Sequence, residues 1–162
     1  MVIRDAHQDE LAEVGEIRVS AYLADGFLSP DSRYAPRLRE LGSDGAGPVL
    51  VATDDGGIVG TVMLQTWPNG GELLGGPHEA EMRALAVRSE ARGRGVGRAL
   101  VGAVIERAAS LGVRHLLLLT QPEMKTAHRL YEEAGFARLP DRDISPEPGV
   151  NLRAYGLDLD VH

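Results

Sequence analysis

The sequence contains no cysteine, which excludes disulfide bonds, thiolate metal ligands and a cysteine nucleophile. It also lacks any apolar run near the ~18 residues that a membrane-spanning helix needs. The first residues, Met1-Val-Ile-Arg-Asp5, have neither the basic start nor the apolar centre of a signal peptide. We therefore expect a protein of the cytoplasm that does not bind membranes.

Positive charge is in short supply as well, since the formal net charge is −7. Nucleic-acid-binding domains are usually basic, so we expect no nucleic-acid partner. The acidic balance favours a cationic partner instead. With 162 residues and 43% hydrophobic content, the chain is long and apolar enough to bury a core. We expect one domain that spans residues 1–162.

The most informative segment runs from Glu81 to Leu100. A strand-like run ends at Val87, a polar turn follows, and a glycine-rich stretch opens a long amphipathic helix. Glycine lets the backbone approach a ligand closely, and the first turn of a helix has unpaired N–H groups that suit a phosphate. The residues of this predicted phosphate cradle are Arg92, Gly93, Arg94, Gly95, Val96, Gly97 and Arg98.

Two known phosphate loops fit this segment poorly. A P-loop has Lys followed by Ser or Thr after its last glycine, and Arg98-Ala99 stands there instead. The dinucleotide fingerprint would place its third glycine one residue later than Gly97 and an acid about 20 residues further on. A glycine-rich loop with no ligand is the remaining structural explanation.

The spacing Arg92-Gly-Arg-Gly-Val-Gly97 matches the Arg/Gln-x-x-Gly-x-Gly/Ala loop of the GNAT acetyltransferase superfamily. Residues 81–87 resemble the fourth strand of that family. Residues 126–136, which follow a uniformly apolar run at 116–119, resemble its A-x-x-L-Y-E-x-x-G-F element. The close resemblance covers roughly residues 80–136 and identifies the chain as similar to a GNAT acetyltransferase.

The remaining pattern agrees with that resemblance. We predict an α+β fold with a mixed central sheet flanked by helices, in the order β-α-α-β-β-β-α-β-α-β-β, which is also the GNAT order. The predicted elements are a strand at 2–5, helices from Asp9 and at 34–41, a hairpin of strands 49–53 and 58–65, a strand ending at 87, a helix from Gly95, a strand at 116–119, a helix from Thr126, and strands at 136–139 and 155–161 around a loop at 140–150.

The resemblance implies acetyl-CoA as cosubstrate and no metal. In the family, backbone groups of the fourth strand face the pantetheine arm and the acetyl group, which corresponds here to Leu85, Ala86 and Val87. The pyrophosphate would lie on the N–H groups of residues 92–98. Met124 occupies a position where the family often has asparagine, and a thioether has no amide to donate to the pantetheine arm. We expect its contacts with the cofactor to differ without loss of binding.

Tyr131 matches the general acid of the family. A phenol with a pKa near ~10 is protonated at neutral pH, and proton transfer to a thiolate of pKa ~8.5 is uphill by about 2 kcal/mol. Packing alone is the other explanation for this tyrosine.

Glu81 occupies the position of a catalytic glutamate in some members of the family. Side chains alternate along a strand, so Arg83 shares its face and is expected to keep its pKa low. An unshifted carboxylate would then need about 8 kcal/mol to deprotonate a lysine-like ammonium and about 5 kcal/mol for an α-amino group. Glu79, His78 and water remain alternative bases.

The implied function is transfer of acetyl from acetyl-CoA to a primary amine of a small molecule or a peptide end, in a direct ternary complex. A non-catalytic acyl-CoA-binding module of the same fold is the alternative, a nucleotide-binding protein is a more distant one, and a homodimer is left open. The acceptor would contact residues 22–41, 66–78 and 140–150, the parts that vary most in the family. Acidic and phenolic side chains there that would attract a cation are Asp31, Tyr34, Asp141, Asp143 and Glu147.

Overall fold

The computed structural model describes residues 1–28, 32–69 and 73–159, and only the backbone of Glu147. Within these ranges the strands are β1 (Val2–Asp5), β2 (Val49–Asp54), β3 (Gly57–Thr66), β4 (Glu79–Val87), β5 (His115–Thr120), β6 (Ala137–Arg138), β7 (Ile144–Glu147) and β8 (Val150–Asp158). The α-helices are α1 (Leu11–Ala24), α2 (Ala35–Glu40), α3 (Val96–Ser110) and α4 (Lys125–Glu133). No helix in the described ranges is long and apolar enough to cross a bilayer.

The strands form one mixed sheet in the order β1-β2-β3-β4-β5-β8-β6, with β7 paired to β8. Neighbouring strands are antiparallel except β4 and β5, which are parallel. A parallel pair needs a crossover connection, and α3 supplies it. The predicted α+β class and the mixed sheet are therefore confirmed, and the predicted order of elements is correct up to β6.

One element is missing from the predicted order. The segment at 140–150 was expected to be a loop, but it contains β7 and a short 3-10 helix, Pro140–Arg142. Gly149 has a positive φ of 83° and ends the tight turn by which Glu147 pairs with Val150. The last strand consequently begins at Val150 rather than Tyr155, while Val161 lies outside the described residues.

Helices cover both faces of the sheet. On one face, α3 buries Leu100, Val104 and Ala108 against the sheet. On the other, α1 buries Val14 and Ile17 together with the β2 and β3 side chains. The apolar spacing in the sequence predicted both stripes, and each fully buried aliphatic side chain contributes roughly 1.5–3 kcal/mol.

Two irregularities of β4 shape the candidate site: a bulge on β4 and the separation of β4 from β5. β4 pairs with β5 only through residues 79–81, so the strands separate towards the end of β4. On the other edge of β4, Arg83 pairs with Met63 and Ala86 with Thr61, which leaves one extra residue on β4. Ala84 accommodates this bulge at a φ of 55°, a conformation that is costly for a residue with a Cβ. Because side chains alternate along a strand, the bulge exchanges the faces of the residues that follow it.

Candidate functional site

A cavity of ≈ 660 Å³ lies where β4 and β5 separate. It is bounded by the end of β4, the first turn of α3, the start of α4 and the last turns of α1. Predicted site residues that line it are Leu85, Ala86, Val87, Arg92, Gly93, Gly95, Val96, Gly97, Arg98, Met124 and Tyr131. The end of β4 and the cradle, which are close in sequence, thus line one cavity with the more distant residues Met124 and Tyr131.

The end of β4 contributes backbone groups to this cavity. Ala86 and Val87 pair with Thr61 and Gly60 of β3 on one edge. On the opposite edge, β5 pairs with none of residues 82–87. Peptide groups on that edge have no strand partner and can hydrogen-bond an extended ligand, much as an added strand would. Val87 O already accepts hydrogen bonds from Arg92 Nε at 3.3 Å and Nη2 at 3.2 Å.

The start of α3 has the geometry of an anion site. Gly93 and Gly95 both have φ of 79°, and Gly95 is the N-cap residue. The helix begins its ladder with Ala99 N–H donating to Gly95 O at 3.0 Å. The N–H groups of Val96, Gly97 and Arg98 precede this bond, and such groups have no partner within a helix. Together with the helix dipole they favour a phosphate.

Gly97 meets a separate requirement in the cradle. A Cβ at this position would lie 3.2 Å from Leu130 Cδ2 and 3.9 Å from Val87 Cγ2. The absence of a side chain therefore lets α3 approach α4 and the end of β4 closely. At Gly93 and Gly95, by contrast, an added Cβ would meet nothing within 4 Å, so the positive φ is what favours glycine there.

The three arginines of the cradle are all engaged in ion pairs. The pairs are Arg92–Asp25 at 2.5 Å, Arg94–Asp54 at 3.6 Å and Arg98–Glu133 at 2.5 Å. Exposed pairs of this kind contribute about 0–1 kcal/mol each, so a bound phosphate can compete for them. The acids lie directly after α1, in β2 and in α4, which is why the local sequence did not predict the pairing.

Tyr131 is held in the cavity wall by the end of α4. Gly135, at a φ of 103°, follows the helix. Gly135 N–H donates to Glu132 O, and Phe136 N–H donates to Tyr131 O, both at 3.0 Å. This is a Schellman motif, and it explains the spacing of tyrosine, glycine and phenylalanine in the sequence.

Burial changes the acidity of Tyr131. The side chain is 7% exposed, and its ring centroid lies 6.0 Å from that of Phe136 and 6.3 Å from that of Tyr155. This burial raises the pKa of Tyr131 well above that of a free phenol, because the charged form is poorly solvated. Proton transfer to a thiolate is therefore more uphill than the sequence-based figure.

Glu81 lies apart from this cavity. It is four residues before Leu85 on β4, about 13 Å along an ideal strand, and it does not belong to the cavity lining. Its side chain is 6% exposed, and the nearest cationic atom, Arg83 Nε, is 3.8 Å from Glu81 Oε2. Burial raises the pKa of Glu81 to about 7 and outweighs the opposing effect of Arg83. The expectation that Arg83 keeps this pKa low is therefore wrong.

Glu79 has a structural partner instead. Its carboxylate accepts hydrogen bonds from Arg142 at 2.8 Å and from Gly75 N–H at 2.8 Å, and it lies 3.2 Å from His115 Nδ1. The hydrogen bonds from Arg142 lower the pKa of Glu79 to about 2, so it is a weak base. Arg142 also donates to Leu73 O at 2.6 Å. It therefore connects the segment after β6 with the segment before β4.

Met124 lies at the start of α4 as the N-cap residue. Its sulfur accepts a hydrogen bond of 3.6 Å from Thr120 Oγ1. The position lines the cavity, so a side chain here is placed to touch a ligand. No amide is available from it, in agreement with the departure noted in the sequence.

The structure describes only some of the acidic side chains that the sequence predicts to attract a cationic acceptor. Asp31 and the side chain of Glu147 lie outside the described residues. Asp143 pairs with Arg138 at 2.7 Å and accepts from Ala154 N–H at 2.7 Å, so its charge is engaged within the fold. Among the described residues, no group of three or more His, Asp or Glu is arranged to hold a metal.

Sequence reasoning did not single out Arg18 or assign a role to Tyr22. Tyr22 lines the cavity, and burial raises its pKa to about 12. Arg18 lies one helical turn earlier and is completely buried. The available signal was a charged residue within the apolar stripe of α1, next to Ile17.

Comparison with known proteins agrees with this geometry. A model of the acetyltransferase (GNAT) family matches residues 11–136. The chain is 33% identical over 125 residues to an uncharacterized N-acetyltransferase of Schizosaccharomyces pombe, covering 76% of this chain and 72% of that protein. It is 32% identical over 112 residues to the mycothiol acetyltransferase of Cellulomonas flavigena, covering 68% of this chain and 32% of that protein. The chain thus spans about a third of the latter relative.

Solved structures share the fold. A Salmonella typhimurium protein solved with its cofactor acetyl-CoA gives a TM-score of 0.73 at 24% identity, covering 100% of this chain and 95% of that one. A phosphinothricin acetyltransferase from Sinorhizobium meliloti, in complex with acetyl-CoA, gives 0.71 at 21% identity, covering 98% and 88%. The family match over most of the sequence, together with this shared fold, shows that the chain belongs to the GNAT acetyltransferase family.

Proposed function

We propose that this protein is an N-acetyltransferase that moves an acetyl group from acetyl-CoA to a primary amine. The observation that carries the proposal is the single cavity that joins the anion-binding start of α3, the unpaired edge of β4 and Tyr131. A phosphate site, an extended backbone edge and a buried phenol in that order suit the three parts of acetyl-CoA. Its volume of ≈ 660 Å³ is adequate for a cofactor arm.

Each part of the wall has a proposed role. The N–H groups of Val96, Gly97 and Arg98 bind the pyrophosphate. The free edge at Leu85–Val87 binds the pantetheine amides, and a backbone N–H there stabilises the thioester oxygen as it gains charge. Met124 packs against the arm without donating to it.

Tyr131 is proposed to protonate the leaving thiolate. Its raised pKa keeps the proton in place at all physiological pH values, and it also makes full transfer costly. The proton therefore has to move as the carbon–sulfur bond breaks, so that the developing thiolate and the phenol share it. A side chain that lines the cavity is placed for this role.

Glu81 is proposed to accept the proton of the incoming ammonium through water. With a pKa of about 7, it is a far better base than an unshifted carboxylate. The cost of deprotonating an α-amino group of pKa ~7.8 falls to about 1 kcal/mol, and that for a lysine-like group to about 5 kcal/mol. Its separation from the cavity lining is the reason for placing a water between base and amine.

Transfer is proposed to be direct, with both substrates bound together, since the sequence has no cysteine to carry acetyl as a thioester. The relatives and solved structures compared above have names that refer to different compounds, mycothiol and phosphinothricin. Their names therefore leave the acceptor of this chain open. The cytoplasm is the location we propose.

The competing proposal is a non-catalytic module that binds acyl-CoA. The placement of Tyr131 in the cavity wall and the raised pKa of Glu81 favour an enzyme. Incubating the protein with acetyl-CoA and a panel of amines while measuring free thiol separates the two. We expect amine-dependent release of CoA and an acetylated product of matching mass. Binding of acetyl-CoA with no release for any amine would support the module instead.

A further inference from the structure

Arg18 is the most unusual buried group in the described part of the chain. Its side chain is 0% exposed, in the middle of α1. Nη1 donates to Leu38 O at 3.0 Å and to Leu41 O at 2.7 Å, at the end of α2. Nε and Nη2 are buried without any hydrogen-bond partner among the described residues. Unpaired nitrogens on a buried charge cost free energy. A purely structural role therefore explains the hydrogen bonds of Nη1 but not the burial of Nε and Nη2.

The charge of Arg18 is also not neutralised nearby. Within electrostatic range it has the phenols of Tyr22 and Tyr34, the guanidinium of Arg83 and, among the described residues, no carboxylate. Burial lowers the pKa of Arg18 only to about 10, so the group stays protonated at neutral pH. The space between α1, α2 and β4 therefore has a standing positive charge.

Arg83 brings a second guanidinium to the same place. Ala84, the next residue on β4, packs in the same cluster as Leu38, whose carbonyl Arg18 holds. Arg83 is 27% exposed, donates to Gln65 Oε1 at 2.9 Å, and lies 3.8 Å from the Glu81 carboxylate. That separation is too long for a direct hydrogen bond. Arg83 thus has donor capacity left over and is partly exposed to solvent, although, like Glu81, it does not belong to the cavity lining.

We propose that Arg83, reinforced by the buried charge of Arg18, binds a carboxylate of the acceptor, so that the acceptors are free α-amino acids. This assignment rests on the N-acetyltransferase function proposed above. An α-amino acid has its carboxylate one carbon away from its amine, which suits an arginine 3.8 Å from the proposed base. Arginine is the side chain best shaped for a carboxylate, because its planar fork donates two parallel hydrogen bonds.

The net charge of the chain does not argue against this. Most of its acids lie on the outer surface, and the described acids near the site are largely engaged. Glu79 is paired with Arg142 and Asp143 with Arg138. A buried guanidinium in a poorly polarisable environment has a stronger local effect than distant, screened surface carboxylates.

Matched acceptors test the proposal. Each free amino acid is compared with its carboxamide and with the corresponding decarboxylated amine, and kcat/KM is measured by thiol release at saturating acetyl-CoA. We expect the best acid to exceed its amide and its amine by about 10- to 100-fold, the effect of one charge-assisted contact. The amide has the less basic amine, so intrinsic reactivity at neutral pH works against this preference.

Arg83→Met should reduce the ratio of kcat/KM between the acid and its amide or amine to nearly 1, with the KM for acetyl-CoA unchanged. The ratio is the readout because removing Arg83 also changes the surroundings of Glu81, which affects all acceptors alike. Arg39→Met is the matched control, since it removes an exposed arginine that pairs with Glu16 between the same helices and should retain the preference. Transfer to amides or simple amines as efficient as to acids would overturn the inference and leave the proposed function standing. A preference that survives Arg83→Met would overturn the role of Arg83. Absence of transfer to every member of the panel would overturn the proposed function itself.

Discussion

Glu81 and Arg83 approach to 3.8 Å on β4, yet burial of the carboxyl group outweighs the attraction of the guanidinium and raises the pKa of Glu81 to about 7. The two residues precede the bulge at Ala84 and lie on the same face. A carboxyl group that is half ionised near neutral pH is suited to accept a proton, whereas one paired tightly with arginine would not be.

This relationship predicts a pH profile. If Glu81 is the base, kcat/KM should rise with pH through about 7 and then level off. Glu81→Gln should lower kcat by roughly 10²- to 10⁴-fold and remove that limb. Initial rates between pH 5.5 and 9.5, with a weakly basic amine, check both points. If Glu81→Gln has the same pH dependence of kcat/KM as the wild type, the base is water or another group.

The same shift predicts an effect on stability with a definite sign. The folded-state pKa is above the unfolded value of ~4.3, so the folded state binds more protons between these pH values and loses stability as pH rises. Glu81→Gln does not ionise. The free energy of unfolding of this variant, relative to that of the wild type, should therefore increase by about 2–4 kcal/mol from pH 4 to pH 8. Urea unfolding of both proteins at pH 4 and pH 8 measures this change. The same difference in unfolding free energy at the two pH values would contradict the prediction.

Tyr131→Phe separates proton donation from packing. The ring contacts with Phe136 and Tyr155 are kept, so stability and acetyl-CoA affinity should change little, while turnover falls by roughly 10²- to 10⁴-fold. Because burial raises the pKa of Tyr131, the wild-type rate should show no decline from phenol ionisation below pH ~10. Near-normal turnover of the Phe variant, measured where chemistry is rate-limiting, would leave Tyr131 a packing residue.

The Glu79–Arg142 pair predicts a second, opposite dependence on pH. The pKa of Glu79 is lowered to about 2, so its stabilisation is present above ~4.3 and disappears as pH falls towards the folded value. Arg142→Met should cost about 1–3 kcal/mol at pH 7, roughly half of that near pH 3 and much less near pH 2. The exposed pair of Arg39 and Glu16 provides the control, since Arg39→Met should cost at most about 1 kcal/mol. A pH-independent cost of Arg142→Met would mean that lost packing causes it.

Local motifs in the sequence predicted the parts of the site that a single segment builds. The cradle depends on a positive φ at Gly93 and Gly95, and the place of Tyr131 depends on Gly135, which follows the end of α4. Both glycine positions can be recognised from a few adjacent residues of the sequence.

The parts built from distant segments were not predictable in this way. The pKa of Glu81 depends on burial by neighbouring strands, and the charges of the cradle depend on Asp25 and other acids far along the chain. Arg18 is a charged residue within the apolar stripe of α1, but nothing local shows that α2 closes over it. The hairpin of β7 was missed because its strand contains Pro146, and a proline argues against a strand in the sequence.

Gly95 allows a test of the cradle in which charge and backbone strain are separated. Asn and Asp both tolerate the left-handed conformation at this N-cap better than other residues with a Cβ. Gly95→Asn should therefore weaken acetyl-CoA binding only modestly, whereas Gly95→Asp should weaken it by at least about 10-fold more through repulsion of the pyrophosphate. Dissociation constants at low salt provide the comparison. Equal losses in the two variants would place the phosphates elsewhere.

The central claim is that the cavity between β4, α3 and α4 binds acetyl-CoA, and calorimetric titration of the wild-type protein tests it most directly. The account predicts one acetyl-CoA per chain, with binding that CoA displaces and that ATP and nicotinamide dinucleotides do not. The absence of measurable heat at millimolar acetyl-CoA, or displacement by those nucleotides, would contradict it.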